Sequence, residues 1–221
     1  MMTPERRAGR PRFGTRRDDT LGSLTGRVGL SLAVPLLMWG CAKPPLTPQP
    51  GDLAAAVKLA ERGEELVAED ELRDAERYYI ASLRANPGQS SVWNNLGVVY
   101  LGQNNLLDAR RAFSQAIETE PREVRPYVNL GLLWLEIDAA QSEQYFEQAL
   151  RINSGSLEAM RGLVQARKRS NARASQDTLD LIQAALLYER DLEWRGFFRL
   201  ERERLEAEML GNRDRFDASG L

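Results

Sequence analysis

One spacing constrains this chain more than any other feature. Gly63, Gly97 and Gly131 recur at a period of about 34 residues. Larger residues keep the same step: Leu66, Tyr100 and Trp134; Tyr79 and Phe113; Pro87 and Pro121. Ala75 and Ala109 do too. After a one-residue deletion in the third turn, Ser142, Phe146 and Ala149 fall on the matching places, and Asn153-Ser154 stands where the proline would be. A unit of this size cannot bury its own apolar face, so the period predicts a stack of like units, each covering the next. Three consecutive units are marked out: 56–89, 90–123 and 124–156.

The central unit, Ser90 to Glu123, is the clearest. Trp93, Leu96, Gly97 and Tyr100 fall on one helical pattern, and Ala109, Phe113 and Ala116 on a second. Gly97 and Ala109 are small where two helices must cross closely. Leu96, Tyr100 and Phe113 fill the space between them. The turn is GQNN, Gly102 to Asn105, and Pro121 stops the second helix because it lacks an amide hydrogen. These residues together resemble the tetratricopeptide repeat (TPR), which places Trp, Leu-Gly and Tyr on a first helix, Ala, Phe and Ala on a second, and then Pro.

That resemblance implies an all-α fold, a short right-handed TPR solenoid of antiparallel helix pairs. The repeats would occupy 53–156. Residues 157–210 would form C-terminal helices, either a degenerate repeat or a cap, and 211–221 an unstructured tail. In the family the first helix of each unit lines the concave side. The implied groove is Ser91, Asn94, Asn95, Val98 and Leu101 in the second unit, and Arg125, Val128, Asn129, Leu132 and Leu135 in the third. The first unit adds Ala60, Glu64 and Val67. The amides of Asn95 and Asn129 suit the backbone of an extended peptide. Val98, Leu101, Leu132 and Leu135 offer apolar contact, and Arg125 suits a carboxylate. The expected partner is therefore a protein, as a peptide or helix in the groove; the protein's own C-terminal helices are the alternative occupant. The chaperone-binding branch of the family uses a carboxylate clamp. Ala60 and Glu64 stand where its Lys and Asn would be, which sets that branch aside.

Composition narrows the function classes. Of 30 basic and 32 acidic residues, seven arginines and three acids fall in residues 1–41, so the remainder carries an acidic excess of six. That gives no electrostatic case for nucleic acid. There is no histidine and one cysteine. The commonest general base and the usual zinc ligands are missing, so the sequence points to no enzyme, no metal and no cofactor.

The first forty residues read as a leader. Arginines crowd residues 6–27, then VGLSLAVPLLMWG runs from Val28 to Gly40, too short to span a bilayer comfortably, and Cys41 follows. This arrangement resembles a bacterial lipoprotein signal peptide, with cleavage after Gly40 and acylation of Cys41. Met38 and Trp39 depart from the family's usual Leu and small residue. Pro44, Pro45, Pro48, Pro50 and Gly51 make 41–52 a stiff tether. Ala42 after the cysteine, by the same resemblance, implies sorting to the outer membrane, facing the periplasm.

Beyond the repeats, Leu157, Met160, Leu163 and Val164 continue as a helix that ends in Arg161, Arg167, Lys168, Arg169 and Arg173. These read as a solvated helix end, with anionic headgroups as the alternative. Ser175 to Asp177 reads as a helix start. Trp194, Phe197 and Phe198 read as core. The whole implies a membrane-anchored interaction module of the bacterial envelope, an assembly or scaffold factor resembling the pilotins of pilus and secretion secretins. The alternatives are an adaptor for peptidoglycan enzymes or envelope proteases, and a structural subunit of a periplasmic assembly.

Overall fold

A computed structural model describes residues 50–218, all within the unit Pro44–Leu221. The leader, Cys41 and most of the tether lie outside the described residues. Nine helices and no strand are found among them: α1 (Leu53–Ala68), α2 (Leu72–Ala85), α3 (Ser90–Gly102), α4 (Leu106–Thr119), α5 (Val124–Trp134), α6 (Ala139–Ile152), α7 (Leu157–Arg169), α8 (Gln176–Tyr188) and α9 (Leu192–Ala218). Consecutive helices pack as antiparallel pairs, α1 on α2, α3 on α4 and α5 on α6, and each pair packs on the next. No helix among the described residues is long and apolar enough to cross a membrane.

The recurring glycines explain the pairing. A Cβ built on Gly63, Gly97 or Gly131 would lie within 3.0 Å of the ring of Tyr79, Phe113 or Phe146. Each aromatic ring is fully buried and fills the place where the glycine lacks a side chain. Small hydroxyls tie the same crossings. Ser82 donates to the Ala56 carbonyl at 2.7 Å, and Ser142 to the Gly131 carbonyl at 2.7 Å. Ser142 thereby takes the place that Ala75 and Ala109 hold in the first two units.

Three turns use one device. Asp70, Asn104 and Asn171 each sit at positive φ, 61°, 59° and 51°. After each, the next amide reaches back five residues: Glu71 to Leu66 at 2.8 Å, Asn105 to Tyr100 at 2.8 Å and Ala172 to Arg167 at 3.0 Å. This is the Schellman closure, which satisfies carbonyls left open at a helix end. The α5–α6 turn is shorter by the residue deleted in the sequence and has no such cap; Asp138 instead bonds back to Trp134 at 2.8 Å. Replacing Asn104 by Ala puts a Cβ-bearing residue without a local polar side chain in the left-handed region. We expect a loss of about 1 kcal/mol, read as a lower urea midpoint, while Asn104→Gly stays near wild type.

In the C-terminal third three further helices continue the stack. α7 packs on α6, and a Cβ on Gly162 would fall within 3.0 Å of the Phe146 ring, so one ring seats two helices. α8 starts after Ser175, whose hydroxyl accepts from the Thr178 amide at 3.3 Å, as the sequence predicts. Ile182 and Ala185 of α8 are buried with Phe198 and Leu205 of α9. Trp194 stands edge-on to Phe197 at 5.6 Å, and Phe198 is fully buried, so the aromatic cluster is core. α9 runs on to Ala218, through most of the stretch expected to be unstructured.

The basic run of α7 is not a free cationic surface. Arg161 grips Glu189, and Arg167 meets Glu143 at 2.9 Å and Glu147 at 3.0 Å. Lys168 pairs with Glu201, and Arg169 with Glu136. These pairs bind α7 to α6, to α9 and to the neighbouring loops. That leaves little of the run for lipid headgroups.

Candidate functional site: the inner face of the repeats

The first helices of the pairs, α1, α3, α5 and α7, stand side by side; α3 packs on α5 and α5 on α7. Their repeat positions form a grid. Ala60, Asn94, Val128 and Arg161 occupy one level, and Glu61, Asn95, Asn129 and Gly162 the next. Glu64, Val98, Leu132 and Gln165 form the third. A recess of about 820 Å³ opens on this grid across α3, α5 and α7. Asn94, Val98, Arg125, Val128, Asn129 and Leu132 line it, and Trp194 of α9 forms part of its wall. Val98 is 43% and Leu132 49% exposed, while Val128 beneath them is buried. An apolar floor and two open aliphatic side chains therefore face solvent together, the kind of surface that marks a docking site.

An amide chain links the helices across this face. Asn129 donates from Nδ2 to Asn94 Oδ1 at 2.8 Å. Asn94 donates to Asn95 Oδ1 at 3.5 Å, and Asn95 to Glu64 Oε1 at 3.2 Å. All three donors point towards α1, ending on a carboxylate. Below this end, burial and then the charge of Glu64 push the Tyr79 phenol up to about 12, so it stays protonated. At the other end Arg161 donates twice to Glu189, at 2.7 Å from Nε and 2.7 Å from Nη2, and lies 4.9 Å over the Trp194 ring. Glu189 is 2% exposed. The hydrogen bond from Arg161 holds its carboxyl below the usual range, against the burial that would raise it. Arg125 is likewise taken, by Glu123 at 2.6 Å.

Of the expected groove residues, the recess gathers Asn94, Val98, Arg125, Asn129 and Leu132; Asn95 lies beside it, held by Glu64. Leu101 and Leu135 are not part of it. Leu101 packs against Ala109, Phe113 and Leu130, and Leu135 is buried among Tyr127, Val128 and Phe146. Each lies three residues past its exposed neighbour. That step turns a side chain by about 300° and carries it from the open face into a helix seam. α7 adds Glu158, Arg161 and Gln165 to the lining, positions that the reading of 157–210 as either a degenerate repeat or a cap does not assign to the groove. A further shift of the period, shortened by the deletion, would have found them, since Arg125 maps to Glu158 and Leu132 to Gln165. No group of three or more metal-ligating side chains is gathered among the described residues.

A sequence model of the tetratricopeptide repeat matches residues 60–118 and 99–156, so this stretch is built of such repeats. The fold is similar to the first TPR of Spaghetti (RPAP3) bound to the HSP90 peptide SRMEEVD, with 16% identity and a TM-score of 0.53, over 55% of this chain and 97% of that one. The Arabidopsis OM64 TPR domain gives 17% identity and 0.52, over 54% and 99%. The Sgt2 TPR domain from Aspergillus fumigatus gives 21% identity and 0.51, over 57% and 83%. At these identities the likeness is one of fold. Among curated proteins no sequence matches the chain significantly.

Proposed function

We propose that this protein is a membrane-anchored protein-binding module of the bacterial envelope that holds a segment of a partner in the recess on its inner face. The observation that carries this reading is the open aliphatic pair, Val98 and Leu132, over a buried floor and beside a row of amides. Spaghetti's first TPR, similar in fold, was solved with a bound peptide, which supports the same use of this face. The anchor rests on sequence alone: the arginine-rich start, the apolar run and Cys41 directly after it. Acylation at Cys41 would fix the repeats to the membrane through the proline-rich tether. Outer-membrane attachment facing the periplasm follows from Ala42 by resemblance. The role is that of an assembly or scaffold factor, like the pilotins of secretins.

Two measurements test this. Membrane fractions and the intact mass of the mature protein are compared between wild type and Cys41→Ser. Release of the variant into the soluble fraction, with loss of the acyl mass, is the expected result; an unchanged distribution would sink the anchor. Crosslinked capture from cells is then compared between wild type and Val98→Gln/Leu132→Gln. Both positions are exposed and Gln is a good helix former, so the fold is spared. We expect the captured partner to be lost from the variant. Equal capture by both forms would mean that the partner sits elsewhere.

A further inference from the structure

The charges around the recess are unevenly satisfied, and this sets the chemistry of the segment that fits it. The inference rests on the recess being the binding site. Both arginines that face it are already committed, Arg125 to Glu123 and Arg161 to the buried Glu189. Asn94, Asn95 and Asn129 each commit one amide hydrogen too, in a chain that runs to Glu64. The carboxylates are less so: Glu64 accepts only from the neutral Asn95 amide, at 3.2 Å. Glu61 and Glu64 lie one turn apart on α1, beside the recess rather than in its lining, are exposed, and make no ion pair among the described residues. Glu158, on the rim at α7, makes none either. Arg62, the cation next to Glu61 in sequence, is drawn to Glu65 at 2.6 Å and Glu69 at 3.8 Å instead. Lys58, one turn before Glu61, forms no bridge to it.

We infer that the recess selects an extended protein segment with two neighbouring aliphatic side chains and a Lys or Arg beside them. The aliphatic pair covers Val98 and Leu132. The cation lies towards α1, where Glu61 and Glu64 await a counter-charge. A segment with acidic side chains there meets like charge and finds no free guanidinium, because releasing Arg161 would strand Glu189 in the core. The same fold that holds an acidic peptide in Spaghetti is in this chain set for the opposite sign.

A selection of random nine-residue peptides displayed on phage, against the immobilised full chain, tests this. It is run in parallel on Glu61→Gln/Glu64→Gln and on Val98→Gln/Leu132→Gln, each matched to wild type by circular dichroism. Wild type is expected to enrich paired aliphatic residues flanked by Lys or Arg. A synthetic peptide of that consensus should bind the Glu61→Gln/Glu64→Gln form about fivefold more weakly, and the gap should close at high salt. An acidic consensus, or a cationic one held equally well by Glu61→Gln/Glu64→Gln, overturns the charge selection and leaves the recess as the site. Failure of wild type to enrich any consensus, or recovery of the same peptides by Val98→Gln/Leu132→Gln, overturns the recess and this inference together.

Discussion

Phe146→Ala should cost about 4 kcal/mol and lower the melting temperature by about 8–16 °C. The ring is fully buried and fills two glycine notches, Gly131 on α5 and Gly162 on α7. Removing it opens a cavity at the junction of the third pair and α7. Neither neighbour can close the gap with its own side chain, because neither has one. Stability in a stacked array is the sum of units and their interfaces. The loss should therefore loosen α7–α9 before α1–α4, which hydrogen exchange would resolve by helix. The converse change, Gly162→Ala, drives a methyl into the ring and should cost about 1–3 kcal/mol. Uniform loss of protection along all the helices after Phe146→Ala would argue against this division.

Arg161→Ala should cost about 3 kcal/mol at neutral pH, a fall of about 6–12 °C. It removes two of the donors to a Glu189 side chain that is 1% exposed and leaves the Asp191 amide, at 2.9 Å. The pH dependence identifies the cause. In wild type the hydrogen bond from Arg161 lowers the Glu189 carboxyl. It therefore stabilises the fold above the ordinary carboxylate value of 4.5, and this contribution is lost as pH falls through the lowered folded value. Without Arg161, burial favours the protonated carboxyl instead, so the penalty grows as pH rises. The gap between the two forms should be widest near neutrality and narrow below about pH 4.5. Thermal melts from pH 3.5 to pH 8 measure it. A gap of constant size would trace the loss to Arg161's packing on Trp194 rather than to its charge.

The fold was legible because its determinants are periodic. Gly97 facing Phe113 and Gly131 facing Phe146 are contacts that the spacing alone implied. Even the deleted residue in the third turn has a structural counterpart, the missing Schellman cap. The recess was legible in part. Val98 and Leu132 share one repeat position and both open to solvent. Leu101 and Leu135 share another, but their burial depends on which seam a helix turns towards, and hydrophobicity does not distinguish a seam from a groove. The ion pairs of α7 were illegible for a different reason. Glu189 and Glu201 lie 28 and 33 residues from the cations they meet, on elements outside the clear repeats. Read along the chain, Arg167, Lys168 and Arg169 are only a charge run; placed between α6 and α9, they are joints.

The most direct measurement places a photoreactive amino acid at position 132 and, separately, at position 187 of the full chain in cells. Leu187 is the stricter control, since it is 76% exposed against 49% for Leu132. If the inner face holds the partner, irradiation should give a discrete crosslinked species from position 132, lost when Val98→Gln is added, and none from position 187. A crosslink from position 187 alone would move the binding surface to the end of α8 and contradict the account.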